Sequence, residues 1–243
     1  LIVDPQRMAL RAATDTTEGD LLLIVNGTST AGYRAASTGL AGTIAAFSLS
    51  KSQKIVAPSY LETNGTFKDV NVDLDTIYTL VTRTVSSSTK YYIEIFDDDR
   101  TTDSAIQYKA NAVSPDQAKP SNTTCGSLNH LEGLSVSVIR DDIVEANKTV
   151  SSNAITIDAV PTTYVEVGLD FTVTVKTKPF EPRLSSGSVQ SQKRRILEIT
   201  PILYRSQNLS VNGKELNLQT FPISGTGSVP TFTGPKKVQG IKE

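Results

Sequence analysis

The chain has no tryptophan, one cysteine, one histidine and one methionine. A single cysteine excludes an internal disulfide, so no covalent framework holds the fold. A single histidine removes the commonest general base from all positions but one. The two lie five positions apart, Cys125 and His130, in the stretch CGSLNHLEG. A zinc site wants about four ligands, and this pair would leave carboxylates to complete it. A thiol nucleophile wants a base and a lowered pKa, and neither a helix start nor an orienting group marks Cys125. The stretch reads as a turn that launches a strand, with His130 half exposed and Leu131 packed under Leu134.

Other absences narrow the choice further. No apolar run approaches the roughly 20 residues that a membrane-crossing helix needs. Neither sign of charge prevails, with 24 basic and 25 acidic residues, so global charge calls for no nucleic acid or membrane. There is no GxGxxG after a strand, no Walker loop, no GxSxG and no HExxH. The acidic triplet at 97–99 lacks the alternating ligands and turn glycine of a calcium loop. Asp141 and Glu166 are a conceivable glycosidase pair, but acidic residues at strand ends give the same pattern. The reading is therefore of a chain that is not an enzyme and takes no cofactor or metal.

What is present is β signal almost throughout. The fold class expected is all-β: several small antiparallel sheets, propeller-like hairpins plus a small barrel or sandwich, with long polar loops. Only 38% of the 243 residues are hydrophobic, which suits several compact cores better than one deep one. Residues 1–100 form a β-rich, propeller-like hairpin region. DLLLIVN at 20–26 is an apolar strand that closes on Asn26-Gly27, and TIAAFSL at 43–49 is a second. Residues 13–20 and 28–42 read as loops. In 70–85 the residues Ile77, Thr79, Val81 and Arg83 share a face, and residues 91–99 return across the polar turn SSSTK. Residues 101–125 lose the alternation and read as a linker or long connection.

Residues 126–177 read as a small barrel or sandwich of short strands. LSVSVIRDD directs Leu134, Val136 and Val138 inward. TYVEVGLDFTVTVKT, 163–177, is the strongest strand signal, interrupted by Gly168 as a bulge or tight corner. Residues 178–243 read as a hairpin region, with Asn212-Gly213 as its two-residue turn and a Gly/Pro/Ser-rich tail. The opening LIVDPQRMAL and the abrupt end make the chain read as a piece of a longer protein.

From 129 to 175 the sequence resembles a module of the tail nozzle, or tail tubular protein B, family of short-tailed bacteriophages. The residues that carry the likeness are His130, Leu131, Glu132 and Gly133, then Val167, Gly168 and Leu169. The basic cluster Lys193, Arg194 and Arg195 opening a strand, and the upstream run TNGTFKDVNVDLDTIYTLVTRTVSSSTKYYIEIFDDD, fit as well, so the resemblance spans about residues 17–221. Two departures stand out: 101–124 is longer than the join expected there, and the closing strand expected after KKVQGIKE is absent.

The resemblance implies a structural part of a virion tail: a ring, of six copies in the family, below an adaptor ring and beside fibres or spikes, through which DNA is ejected. It implies non-specific contact with passing DNA. Lys193, Arg194 and Arg195 are the candidate DNA- or neighbour-facing patch, in a stretch from 176 to 205 with seven Lys/Arg against two Glu. The alternative is a β-sandwich binding or adhesin module that recognises host-surface carbohydrate, with Tyr91, Tyr92 and Phe96 as its aromatic platform.

Overall fold

A computed structural model describes residues 2–14, 19–28, 39–50, 52–177, 196–218 and 231–239. Among these the architecture is all-β, with one 3-10 turn at Asn129–Leu131. The expected loops at 13–20 and 28–42 fall partly outside the described residues.

The first region is two antiparallel meanders. Strands β1 (Pro5–Arg11), β2 (Asp20–Asn26), β3 (Ile44–Ser50) and β4 (Ile55–Leu61) pair in chain order. Strands β5 (Thr66–Asp73), β6 (Thr76–Val85) and β7 (Ser88–Ile95) do the same. Their inner faces meet in one cluster, Leu23, Val25, Ile44 and Ala46 against Phe67, Val70, Ile77 and Val81. The period-two pattern thus builds a packed pair of sheets. The β6–β7 turn is tighter than the SSSTK run suggested. Ser86 and Ser87 both have positive φ, 48° and 65°, and make a two-residue hairpin turn usually written with Asn-Gly. Asn26 does not serve as a hairpin turn. It is buried, its Oδ1 accepting from Val3 N at 3.0 Å and its Nδ2 donating to Thr43 Oγ1 at 3.1 Å.

The second region departs from the expected boundary. Residues 103–109, assigned to the connection, form a strand, β8 (Asp103–Lys109), inside the next sheet. Only Ile106 and Tyr108 point to the core there, so polar neighbours mask the alternation. The further strands are β9 (Gln117–Ala118), β10 (Thr124–Cys125), β11 (Ser135–Arg140), β12 (Ile143–Val144), β13 (Lys148–Thr149), β14 (Ile155–Thr156) and β15 (Tyr164–Leu169). The sheet order is β12-β11-β15-β8-β9, with β13 on the end of β11 and β10–β14 as a separate pair. A cluster that includes Leu128, Leu131, Val136, Val138, Val165 and Val167 fills the space between. This is an open sheet with a separate two-strand pair; no closed barrel forms among the described residues.

β15 is the central strand, and from Val165 to Leu169 it is buried on both faces. Its pairing to β8 slips between Val167 and Leu169, which places a bulge at Gly168. A Cβ there would stand 2.3 Å from Thr102 Oγ1 and 2.8 Å from the Asp103 carbonyl, so only glycine fits. The strand ends at Leu169. Residues 170–177, read as its continuation, form no strand and are exposed throughout.

The third region holds three short pairs: β16 (Glu198–Ile199) with β21 (Val238–Gln239), β17 (Ile202–Ser206) with β20 (Phe232–Pro235), and the hairpin of β18 (Asn208–Val211) and β19 (Lys214–Asn217). Asn212 and Gly213, with φ of 48° and 76°, make the expected two-residue turn. Within the Gly/Pro/Ser-rich tail the described residues 231–239 form β20 and β21, which fold back to pair with β17 and β16.

Candidate functional site

The 3-10 turn at Asn129–Leu131 separates two side chains of opposite character. Leu131 drops into the second apolar cluster and is fully buried. His130 points toward the first region, where its ring lies edge-on to Tyr92 with centroids 6.1 Å apart. Its Nε2 lies 3.0 Å from the Ser104 carbonyl, so this nitrogen carries the proton and donates. Burial lowers the pKa of His130, and nearby Arg83 lowers it further, against the opposing pull of the Ser104 hydrogen bond and Glu94.

Arg83 is the centre of this joint. It is 2% exposed, at the inward parity of β6 beyond Val81. Its Nε and Nη2 grip the two oxygens of Glu94 at 2.8 Å each, a bidentate pair. Nη1 donates to the Asn64 carbonyl at 2.6 Å and Nη2 to Thr63 Oγ1 at 2.8 Å. Thr63 Oγ1 then donates to Asp103 Oδ2 at 2.6 Å, and Ser104 Oγ donates to Glu94 Oε1 at 3.2 Å. Burial alone would lower the Arg83 pKa, but the hydrogen bond and charge of Glu94 outweigh it and the net shift is upward. The seam thus ties β6, β7 and the turn before β5 to the start of β8 and the 3-10 turn. Its polar atoms are committed to one another, which makes it a structural joint. Half of the signal was legible: Arg83 sits on the apolar face of β6, and a buried charge requires a partner.

The other candidate residues also sit in structural settings. Cys125 is fully buried among Leu128, Leu131 and Val136. Burial, with the Glu145 charge as a second cause, pushes its pKa up to about 12, so it is a thiol and not a nucleophile. Glu166 is fully buried in β15, and its Oε1 accepts from Thr101 N at 2.8 Å, Thr101 Oγ1 at 3.0 Å and Thr102 Oγ1 at 2.9 Å. Asp141 sits in the β11–β12 turn. Its Oδ2 accepts from Thr162 N and its Oδ1 from Thr163 N, both at 2.7 Å, and from Tyr164 N at 3.1 Å. Burial would raise the Asp141 pKa, but the Thr162 and Thr163 donors lower it on balance. Each carboxylate therefore anchors a different stretch of backbone.

Of the motif residues, Glu132 accepts from Ser152 N and Asn153 N at 2.9 and 2.7 Å, and Gly133 has φ of 78°. Both are turn-forming roles. Lys193, Arg194 and Arg195 lie outside the described residues, as do Lys178 and Arg183. Arg205, from the same basic stretch, is bound to Asp142 at 2.7 Å and stacks on the Tyr164 ring. The proposed aromatic platform is split: Tyr91 faces out, Tyr92 is half-buried, and Phe96 packs edge-on against Phe67 at 6.5 Å. An open groove of about 520 Å³ beside β1 and β5 is lined by both signs of charge, including Asp4, Arg7, Lys68 and Asp69.

The most unusual surface is apolar. On β7 the outward residues Tyr91, Ile93 and Ile95 are 68%, 77% and 41% exposed, next to Tyr78 and Leu80 of β6. After β15 the residues Phe171, Val173 and Val175 are exposed as well, and on β17 so are Ile202 and Tyr204. No protein-family model matches the chain, and no curated protein matches it either.

Proposed function

We propose that the chain is a structural component of a bacteriophage tail, one copy in a closed ring of the nozzle or hub type, working without enzymatic turnover. The observation that carries the reading is the exposed apolar strand surface, because contiguous apolar patches mark protein interaction sites. The motif residues of the resemblance support it in a second way. Leu131, Glu132, Gly133, Val167, Gly168 and Leu169 all act in turns or core, as parts of a scaffold do. Six copies, an adaptor ring above, fibres or spikes alongside and a virion location follow from the resemblance alone.

Lys193, Arg194 and Arg195 are the proposed channel-facing or neighbour-facing patch. DNA that slides through a ring requires contacts to its backbone that ignore sequence. Reversing Arg194 and Arg195 to Glu is expected to leave the fold intact and to impair ring assembly or DNA passage. Particle imaging of the purified chain tests the main reading. Six-fold rings with an axial hole are expected. A monomer that binds a carbohydrate instead would favour the adhesin alternative.

A further inference from the structure

Two strand-forming segments face solvent with matching patterns. β7 is the last strand of its sheet, and among the described residues no strand pairs with its outer edge. Such an edge presents unpaired N–H and C=O groups. Residues 170–177 alternate apolar and polar side chains as a strand does, yet have no strand partner among the described residues. Val173 and Val175 are 73% and 80% exposed. We propose that residues 171–175 of one copy of this chain add as a parallel strand to the β7 edge of a second copy. The inference rests on the self-association part of the function proposed above.

Charge selects the direction. Placing Phe171, Val173 and Val175 beside Tyr91, Ile93 and Ile95 keeps all six apolar side chains on one face. In the parallel register this brings Asp170 beside Lys90. It also brings Lys176 beside Phe96, one position from Asp97. In the antiparallel register the same triplets would set Lys176 directly against Lys90, a like-charge pair that destabilises two strands. Among the described residues Asp170 accepts one exposed hydrogen bond, from Asn147, and no ion pair.

Chain geometry selects a second copy as the donor. Leu169 is held opposite Asp103 in the β15–β8 ladder. The next residue, Ser104, bonds Glu94 near the C-terminal end of β7. A chain leaving Leu169 therefore starts beside the wrong end of its own β7. Reaching Lys90 means covering the four residues from Glu94, roughly 14 Å at strand spacing. Asp170 alone advances about 3.8 Å. The charge-matched register is out of reach within one molecule and open between two. The contact joins two different surfaces, so repetition generates a ring where the rotation closes. Strand addition supplies main-chain hydrogen bonds, and the alternate side chains set the register.

Cysteine pairs in a Cys125→Ala background test the register. Ile93→Cys and Val173→Cys are made as separate full-length proteins, mixed and oxidised. Adjacent strands bring their Cα atoms within disulfide range. A covalent dimer is expected in the mixture and in neither protein alone. A mixture of Tyr91→Cys with Val175→Cys, the antiparallel partners, is expected to give none. Sedimentation of the parent and of Val173→Pro, which removes one N–H from an unpaired segment, supplies a readout that does not need the Cys125 background. Val173→Pro is expected to stay monomeric where the parent associates, with an unchanged unfolding midpoint. A parent that associates without the mixed cross-link, or a Val173→Pro variant that assembles like the parent, overturns strand addition and leaves the assembly reading standing. A parent that sediments as a monomer at all concentrations overturns both.

Discussion

β15 and the eight residues after it share one pattern and meet opposite fates. Residues 164–169 run YVEVGL and 170–177 run DFTVTVKT, alternating apolar side chains in both halves. The first half is the central strand of its sheet, paired on both sides by β11 and β8. The second half is exposed along its whole length. The break comes where the partners end: β8 begins at Asp103, opposite Leu169, and β11 begins at Ser135. Alternation reports the capacity to pair, and a strand exists only where a partner stands beside it.

The largest test of that contrast is at the boundary. Gly168→Val would drive a side chain into Thr102 and the Asp103 carbonyl. It should cost about 3 kcal/mol, the upper range for overpacking a fixed backbone, read from the urea midpoint. An unchanged midpoint would show that the bulge yields freely.

One truncation placed on either side of the boundary comes next. Val167→Ala empties part of a fully buried site and should cost about 2 kcal/mol by lost transfer energy plus cavity. Val173→Ala should change stability by less than about 0.5 kcal/mol in the dilute chain, as exposed substitutions do. Equal losses at the two positions would erase the distinction.

Smaller effects come from the joint that holds the start of β8. His130 has a lowered pKa in the folded chain, so it favours folding above its ordinary value of 6.5, and that contribution is lost as the pH falls below it. The parent should lose more stability than His130→Gln between pH 7 and pH 5, measured by denaturant titration at each pH. Parallel curves would remove His130 from the joint. Cys125 gives the smallest signal. Its raised pKa means its contribution is whole below pH 9 and declines as the pH rises toward 12. At pH 8 the folded chain should resist iodoacetamide for hours while the urea-unfolded chain reacts. Rapid alkylation of the folded chain would place the thiol at the surface.

How much of this was legible in the sequence depended on how far each feature reaches along the chain. Strands β2, β3, β6, β7, β11 and β15 follow from local apolar runs or alternation, and the Asn212-Gly213 turn from local backbone preference. β8 was missed because its two core residues, Ile106 and Tyr108, are set among Asp, Ser, Gln and Lys, and its burial comes from a strand 55 to 66 residues away. The Arg83 joint was half legible: the charge stood on an apolar face, but Glu94 and Thr63 become its partners only once the sheets are assembled. His130 and Leu131, adjacent in sequence, are directed into different environments by one 3-10 turn, which no composition records.

Hydrogen exchange across residues 164–177, measured on the chain at low and at high concentration, tests the central claim most directly. The amides of Val165 to Val167 should be protected at both concentrations. Those of 171–175 should exchange at the rate of an open chain when dilute and become protected when copies associate. Protection of 171–175 in the dilute monomer, or free exchange there in the assembled particle, would contradict the account.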